Sequence, residues 1–144
     1  STKGHFGDEV HWMKFHDGLQ KILNDHKPGM VLIEKSWCPT CKKVGDRFIK
    51  DQEFHRLSKQ FVMIQCIDDE EPNFDEFRPG RCGCDLTETD GSYYPRILFI
   101  DSDGNIDYSL ANGPESQIYR YFYSSVDACK NNMRKLLEKC GLPA

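Results

Sequence analysis

The stretch that most restricts this chain is MVLIEKSWCPTC, residues 30–41, where an apolar run leads straight into a cysteine pair. Met30–Lys35 reads as a buried strand. It follows His26-Lys27-Pro28-Gly29, a breaker that ends whatever precedes it, and it carries no helical period. Pro39 cannot lie inside a central strand, because it has no N–H for the ladder, but it suits the first turn of a helix. The strand therefore stops near Cys38 and a helix starts there. Val44, Phe48 and Ile49 mark one face of that helix, which is expected to last to about Asp51. Open α/β sheets present their ligands at such strand-to-helix junctions.

The other apolar runs extend the pattern. Phe61–Ile67, bounded by the acidic turn Asp68-Asp69-Glu70-Glu71-Pro72, and Arg96–Ile100 predict two more buried strands. Asp103-Gly104 predicts a hairpin into a fourth strand around Asn105–Tyr108. Asp17 and Gly18 open a helix carrying Leu19, Ile22 and Leu23. Ser124 or Ser125 caps a final helix with Val126, Cys129, Met133, Leu136, Leu137 and Cys140 on one stripe. The expected class is α/β, a short central mixed sheet flanked by helices.

A chain of 144 residues is large enough for one domain with one core, spanning 1–144. Residues 1–9 are polar and expected to be flexible. Residues 79–93, within a stretch rich in Pro, Gly and acids, read as a loop. Tyr119, Tyr121, Phe122 and Tyr123 read as core and sheet-edge packing, and Asp68–Glu71 as a solvated turn. A net charge of −4 gives no basic footprint for nucleic acid. No apolar run approaches the roughly 20 residues needed to span a bilayer, so membrane insertion is not expected. Seven cysteines point to an oxidising compartment, and the odd count leaves at least one outside an internal pair. A first residue of Ser rather than Met reads as a processed or trimmed chain.

Three chemistries compete for Cys38 and Cys41. Structural zinc wants four ligands, but Cys82 and Cys84 are one residue apart and His55 stands alone, so no metal is expected. A permanent Cys38–Cys41 staple would close a tiny loop and contribute little stability. A redox couple fits the local physics. The unpaired N–H groups and dipole of a helix start favour an anion at Cys38. Lys42 and Lys43 add positive potential nearby. Cys38 then attacks a disulfide, and Cys41, one turn further in, resolves the mixed disulfide. This chemistry needs no cofactor.

The remaining cysteines read differently. Cys66 lies within a strand and packs as a small hydrophobe. Cys129 and Cys140 are separated by about 16 Å along a helix, too far to bridge, and read as packing residues. Cys82 and Cys84 lie in a loop with no core to fill, where a structural disulfide or an auxiliary redox pair is expected.

Several short motifs occur together: HW at 11–12, KSWC at 35–38, FVM at 61–63, DEEP at 69–72, YPR at 94–96, PRILF at 95–99 and RYFY at 120–123. Over roughly residues 8–140 the chain resembles the thioredoxin superfamily. Within it, the chain more closely resembles the small endoplasmic-reticulum proteins of the thioredoxin domain-containing protein 12 and anterior-gradient kind. The resemblance implies a thioredoxin-like fold and a setting in the endoplasmic reticulum lumen or outside the cell. It also implies thiol–disulfide exchange with cysteine-containing protein clients and a thiol redox partner such as glutathione. By position, Cys38 is the nucleophile and Cys41 the resolving thiol. Trp37 flanks the site, Pro39 and Thr40 tune it, and Pro95, after Tyr94, is the cis-proline lying against the pair.

Some positions depart from that pattern. A relay carboxylate six residues before the first cysteine is replaced by Leu32, which leaves Glu34, on the same strand face, and Lys35 as relay candidates, an exposed strand-end charge being the other reading of Glu34. Gly45-Asp46 stands where many relatives carry a mid-helix proline. RCGC at 81–84 looks like an insertion. The rival to an enzyme is a chaperone-like domain that binds client thiols without turnover; the presence of both cysteines favours exchange.

Overall fold

A computed structural model describes residues 4–70, 93–113 and 119–144. Its elements run β1 (Trp12–Met13), α1 (Phe15–Asp25), β2 (Gly29–Glu34), α2 (Pro39–Ile49), α3 (Gln52–Ser58), β3 (Val62–Ile67), β4 (Arg96–Ile100) and α4 (Val126–Lys139). The strands form one sheet in the order β1-β3-β2-β4. β3 is parallel to both neighbours, whereas β4 is antiparallel to β2. This is the expected mixed sheet with flanking helices.

β2 has a partner on each edge, from Gly29↔Val62 to Glu34↔Ile67 on one side and Gly29↔Ile100 to Ile33↔Arg96 on the other. With helices above and below, the whole strand is buried, which explains its unbroken apolar run. Side chains alternate between faces. Met30 and Leu32 pack with Val44, Phe48, Phe54, Leu57, Met133 and Leu136, so α2, α3 and α4 cover that face. Val31 and Ile33 pack with Ile22 of α1 on the other. Alternation also sets Glu34 on the Leu32 face, the side covered by α2.

Several boundaries differ from the sequence expectation. α1 begins at Phe15 rather than Asp17. α3 was not expected. It is short, has only Phe54 and Leu57 as apolar markers, and relies on tertiary support. The Asp51 side chain caps it by accepting the Phe54 N–H. Lys130 of α4 reaches Asp51 at 2.9 Å and Glu53 at 3.1 Å, tying the two helices together. The predicted fourth strand is reduced to an isolated bridge between Ile100 and Ile106. Part of that edge of β4 is taken by Tyr121, whose carbonyl accepts the Ile97 N–H at 2.8 Å. Tyr121 and Tyr123 are buried as expected, but Tyr119 is exposed. Ser125, not Ser124, caps α4 by accepting the Ala128 N–H.

The start of the chain needs a larger correction. Residues 1–9 were expected to be flexible; 1–3 lie outside the described residues, but within 4–9 Phe6 is only 1% exposed. Its ring lies 5.0 Å from Phe48 and 6.5 Å from Trp12. The Trp12 indole N–H donates to the Gly7 carbonyl at 3.0 Å. A single aromatic in a polar segment has no period to betray its burial. Of the 79–93 loop, Tyr93 alone falls among the described residues. Among the described residues no helix is long and apolar enough to cross a membrane.

Candidate active site

Cys38 is the N-cap of α2, with extended backbone at φ −83° and ψ 111°, and Pro39 opens the helix behind it. The Cys38 Sγ accepts the Cys41 main-chain N–H at 3.0 Å, so a helix-start donor is aimed at the sulfur. Cys38 is buried with 7% of its surface exposed, while the neighbouring Trp37 indole is 70% exposed. Pro39 and Thr40 are also exposed. From the opposite loop, the Tyr94 carbonyl lies 3.9 Å from the Cys38 thiol. The Tyr94–Pro95 bond is cis and Pro95 is buried. The structure thus brings Trp37, Cys38, Cys41, Tyr94 and Pro95 into one place.

Cys41 is fully buried and, like Cys38, a free thiol. Burial raises its hold on its proton far above that of an ordinary thiol, and the hydrogen bond with Cys38 adds to the effect. The Lys35 main-chain N–H works in the other direction. The two sulfurs are therefore unequal: Cys38 keeps a little exposure and a helix-start N–H, whereas Cys41 is dry and needs an acceptor for its proton.

Glu34 lies at the C-terminal end of β2, 0% exposed. Burial raises its carboxyl above the usual carboxylate range, against the opposing hydrogen bond from the His5 main-chain N–H to Oε1 at 2.8 Å. Its other oxygen, Oε2, is buried without a hydrogen-bond partner. Its charge is felt at Cys41, where it opposes ionisation of the thiol. The strand-end position had also been compatible with an exposed charge; the structure buries it.

Lys35 is arranged differently. Its ammonium donates to the Asp68 carbonyl at 3.0 Å and lies 5.1 Å from the Tyr94 ring centroid. It links the end of β3 to the cis-proline loop. Lys42 forms an exposed ion pair with Asp46 at 3.4 Å, so its charge is shared rather than directed at Cys38.

Two residues of the site were not singled out in the sequence. Asp68, read there as part of a solvated turn, accepts the Ser36 N–H at 2.9 Å and adopts φ 57°. That hydrogen bond holds its carboxyl below the usual range. Its place follows from topology, since β2 and β3 are parallel and in register at Glu34↔Ile67, so the residues after each strand must meet. His5 contributes its main chain to Glu34 and its ring to Ser36, with Nε2 3.0 Å from the Ser36 carbonyl. No sequence signal marked it.

Cys66 and Cys129 are buried and Cys140 is half-buried; Cys129 and Cys140 are free thiols. The Cys129 thiol packs on the Met30 sulfur at 3.9 Å. Cys82 and Cys84, with the disulfide expected there, lie outside the described residues. Among the described residues no group of three or more His, Cys, Asp or Glu side chains could hold a metal ion.

Comparison with known proteins agrees with this architecture. A family model described as Thioredoxin-like matches residues 11–102. Anterior gradient protein 2-B of Xenopus laevis is 24% identical over 134 residues, covering 92% of this chain and 74% of that protein. The human Anterior gradient protein 2 homolog is also 24% identical over 134 residues, covering 92% of this chain and 70% of its own. The solution structure of a thioredoxin from Thermus thermophilus has a TM-score of 0.61 at 20% identity, covering 93% of this chain and 92% of that one, a likeness of fold. With a match over more than half its length, on a sheet that sets a cysteine pair at the start of a helix, the chain belongs to the thioredoxin-like family.

Proposed function

We propose that the protein is a protein thiol–disulfide oxidoreductase that cycles Cys38 and Cys41 between dithiol and disulfide. The observation that carries this is the seat of the Cys38 sulfur, which accepts a helix-start N–H from Cys41 beside the Tyr94 carbonyl. As a thiolate, Cys38 attacks a client disulfide, forming a mixed disulfide and releasing one client sulfur. Cys41 then loses its proton and attacks the Cys38 sulfur. This closes the Cys38–Cys41 disulfide, breaks the bond to the client and releases the second client sulfur as a thiolate. Two electrons pass from protein to client, or the reverse when the client starts as a dithiol.

The dry Cys41 needs a base, and Glu34 is the buried carboxylate within its electrostatic reach. The Lys35 ammonium, turned to Asp68 and Tyr94, takes a positioning role instead. Trp37, Pro39 and Thr40 offer an exposed rim against which a client segment can rest. Cysteine-containing proteins are the clients, and glutathione or a similar thiol resets the couple. The likeness to anterior gradient proteins and the high cysteine count support a setting in the endoplasmic reticulum lumen or secretory pathway. The test is turnover of a small two-cysteine peptide in a glutathione buffer. The wild-type chain speeds its oxidation or reduction, and Cys38→Ser abolishes that. No acceleration by the wild-type chain in either direction rejects the proposal.

A further inference from the structure

Residues 4–7 form a strap across the buried side of the site, and three separate contacts tie it there. The first is to the carboxylate. The His5 N–H binds Glu34 Oε1 at 2.8 Å, and the Gly4 backbone lies over the unpartnered Oε2. A Cβ on Gly4 would stand 2.5 Å from Oε2 and 2.7 Å from Gln65 Oε1. The second is to the active-site loop. The His5 Nε2 donates to the Ser36 carbonyl, whose own residue is held on the far side by Asp68.

The third contact is to α2, the helix that carries Cys41. The His5 carbonyl lies so close to Gly45 that any Cβ there would overlap it. Glycine inside a helix costs about 0.5–1 kcal/mol relative to alanine. Here it makes room for the strap. Phe6, buried against Phe48, anchors the segment.

We propose that His5 is a positioning residue of the redox centre: through it the strap shields Glu34 from water and locks that carboxylate to the Ser36 loop and to α2, so that strap attachment governs how fast Cys41 resolves a mixed disulfide. This rests on the oxidoreductase proposal above. A base fixed in a dry site needs no reorganisation when the proton moves, whereas a hydrated and mobile one does. The ionisable groups around Glu34 are His5 from the strap, Asp68 from the turn after β3, Cys41 from α2 and Lys35 next to it in the chain. Gln65 of β3 adds an uncharged amide.

The two steps can be timed separately. Reduced protein is mixed with oxidised glutathione, quenched with acid and weighed intact. The time course separates glutathione joined to Cys38 from the later Cys38–Cys41 disulfide. Gly45→Ala pushes the strap away while leaving all its hydrogen-bonding groups intact. His5→Ala removes the ring contact alone and serves if the first variant folds poorly. His5→Gln keeps a side-chain N–H for the Ser36 carbonyl.

In Gly45→Ala and His5→Ala the ratio of resolving rate to attack rate falls about tenfold or more. The rising limb of the resolving step's pH profile also moves to lower pH, because a hydrated Glu34 gives up its proton more readily. His5→Gln recovers most of the ratio. If both variants melt earlier yet keep the wild-type ratio and pH profile, the strap is merely structural and the proposal fails. If wild-type protein forms neither a Cys38 adduct nor the Cys38–Cys41 disulfide, the oxidoreductase proposal fails first and this one falls with it.

Discussion

The Cys38 sulfur accepts the main-chain N–H of Cys41 at 3.0 Å, so each cysteine of the pair shapes the chemistry of the other. That N–H supplies a donor to the Cys38 sulfur, while burial and a separate side-chain contact between the two thiols raise the cost of ionising Cys41. The pair should therefore be strongly unequal toward alkylating agents. Iodoacetamide should label Cys38 in Cys41→Ser at least about tenfold faster than it labels Cys41 in Cys38→Ser near neutral pH. Peptide mapping after short exposures gives both rates. Equal rates would mean that the two thiols share one environment.

Glu34 provides a stability test with a definite sign. Burial raises its folded-state carboxyl above the value in the unfolded chain. Below the unfolded value the group is neutral in both states and costs nothing. As pH rises through the unfolded and then the folded value, charging the buried carboxyl destabilises the fold, and the penalty then levels off. Glu34→Gln should therefore raise the urea midpoint relative to wild type at pH 8 and lose that advantage by pH 4. It should also slow the resolving step about tenfold to a hundredfold. A stability difference that ignores pH would contradict the burial of a titrating carboxyl.

Phe6 tests the packing of the strap. It is buried between Phe48 and Trp12, so Phe6→Ala removes a full aromatic side chain from the core. The expected loss is about 3–5 kcal/mol of unfolding free energy, read from denaturant titration. A loss well below about 1 kcal/mol would show that the segment is loose in solution.

Asp51 has the opposite pH behaviour to Glu34. Partial burial raises its carboxyl, but the Lys130 ammonium and the Phe54 N–H outweigh that and hold it below the usual range. Its contribution is present above the unfolded-state value and is lost as pH falls through the lower folded one. Asp51→Ala should cost about 1–2 kcal/mol at neutral pH, as a lost helix cap does. The gap should shrink as pH falls below the ordinary aspartate range. A constant gap would leave the cap and ion pair without a role.

The sequence announced those parts of the molecule whose pattern is periodic or chemically singular. β2 and β4 are largely apolar runs because neighbours and helices bury them completely, and β3 departs from this only at the half-buried Gln65. Cys38-Pro39 marked its own strand-to-helix junction. α3 and β1 escaped because seven and two residues carry too little period to register. His5 escaped for a different reason: its part in the site comes from a main-chain N–H and from a glycine on a distant helix, neither of which composition displays. Glu34 was visible as a residue, but strand alternation alone could not say whether the end of β2 was covered. The strap covers it.

The central claim is that Cys38 attacks and Cys41 resolves. The most direct measurement is covalent trapping from cells expressing Cys41→Ser beside Cys38→Ser, with free thiols blocked at lysis and adducts separated without reductant. Cys41→Ser should accumulate mixed disulfides that reductant releases and that peptide mapping places on Cys38, while Cys38→Ser should accumulate few. Equal adducts in the two variants, or none in either, would contradict it.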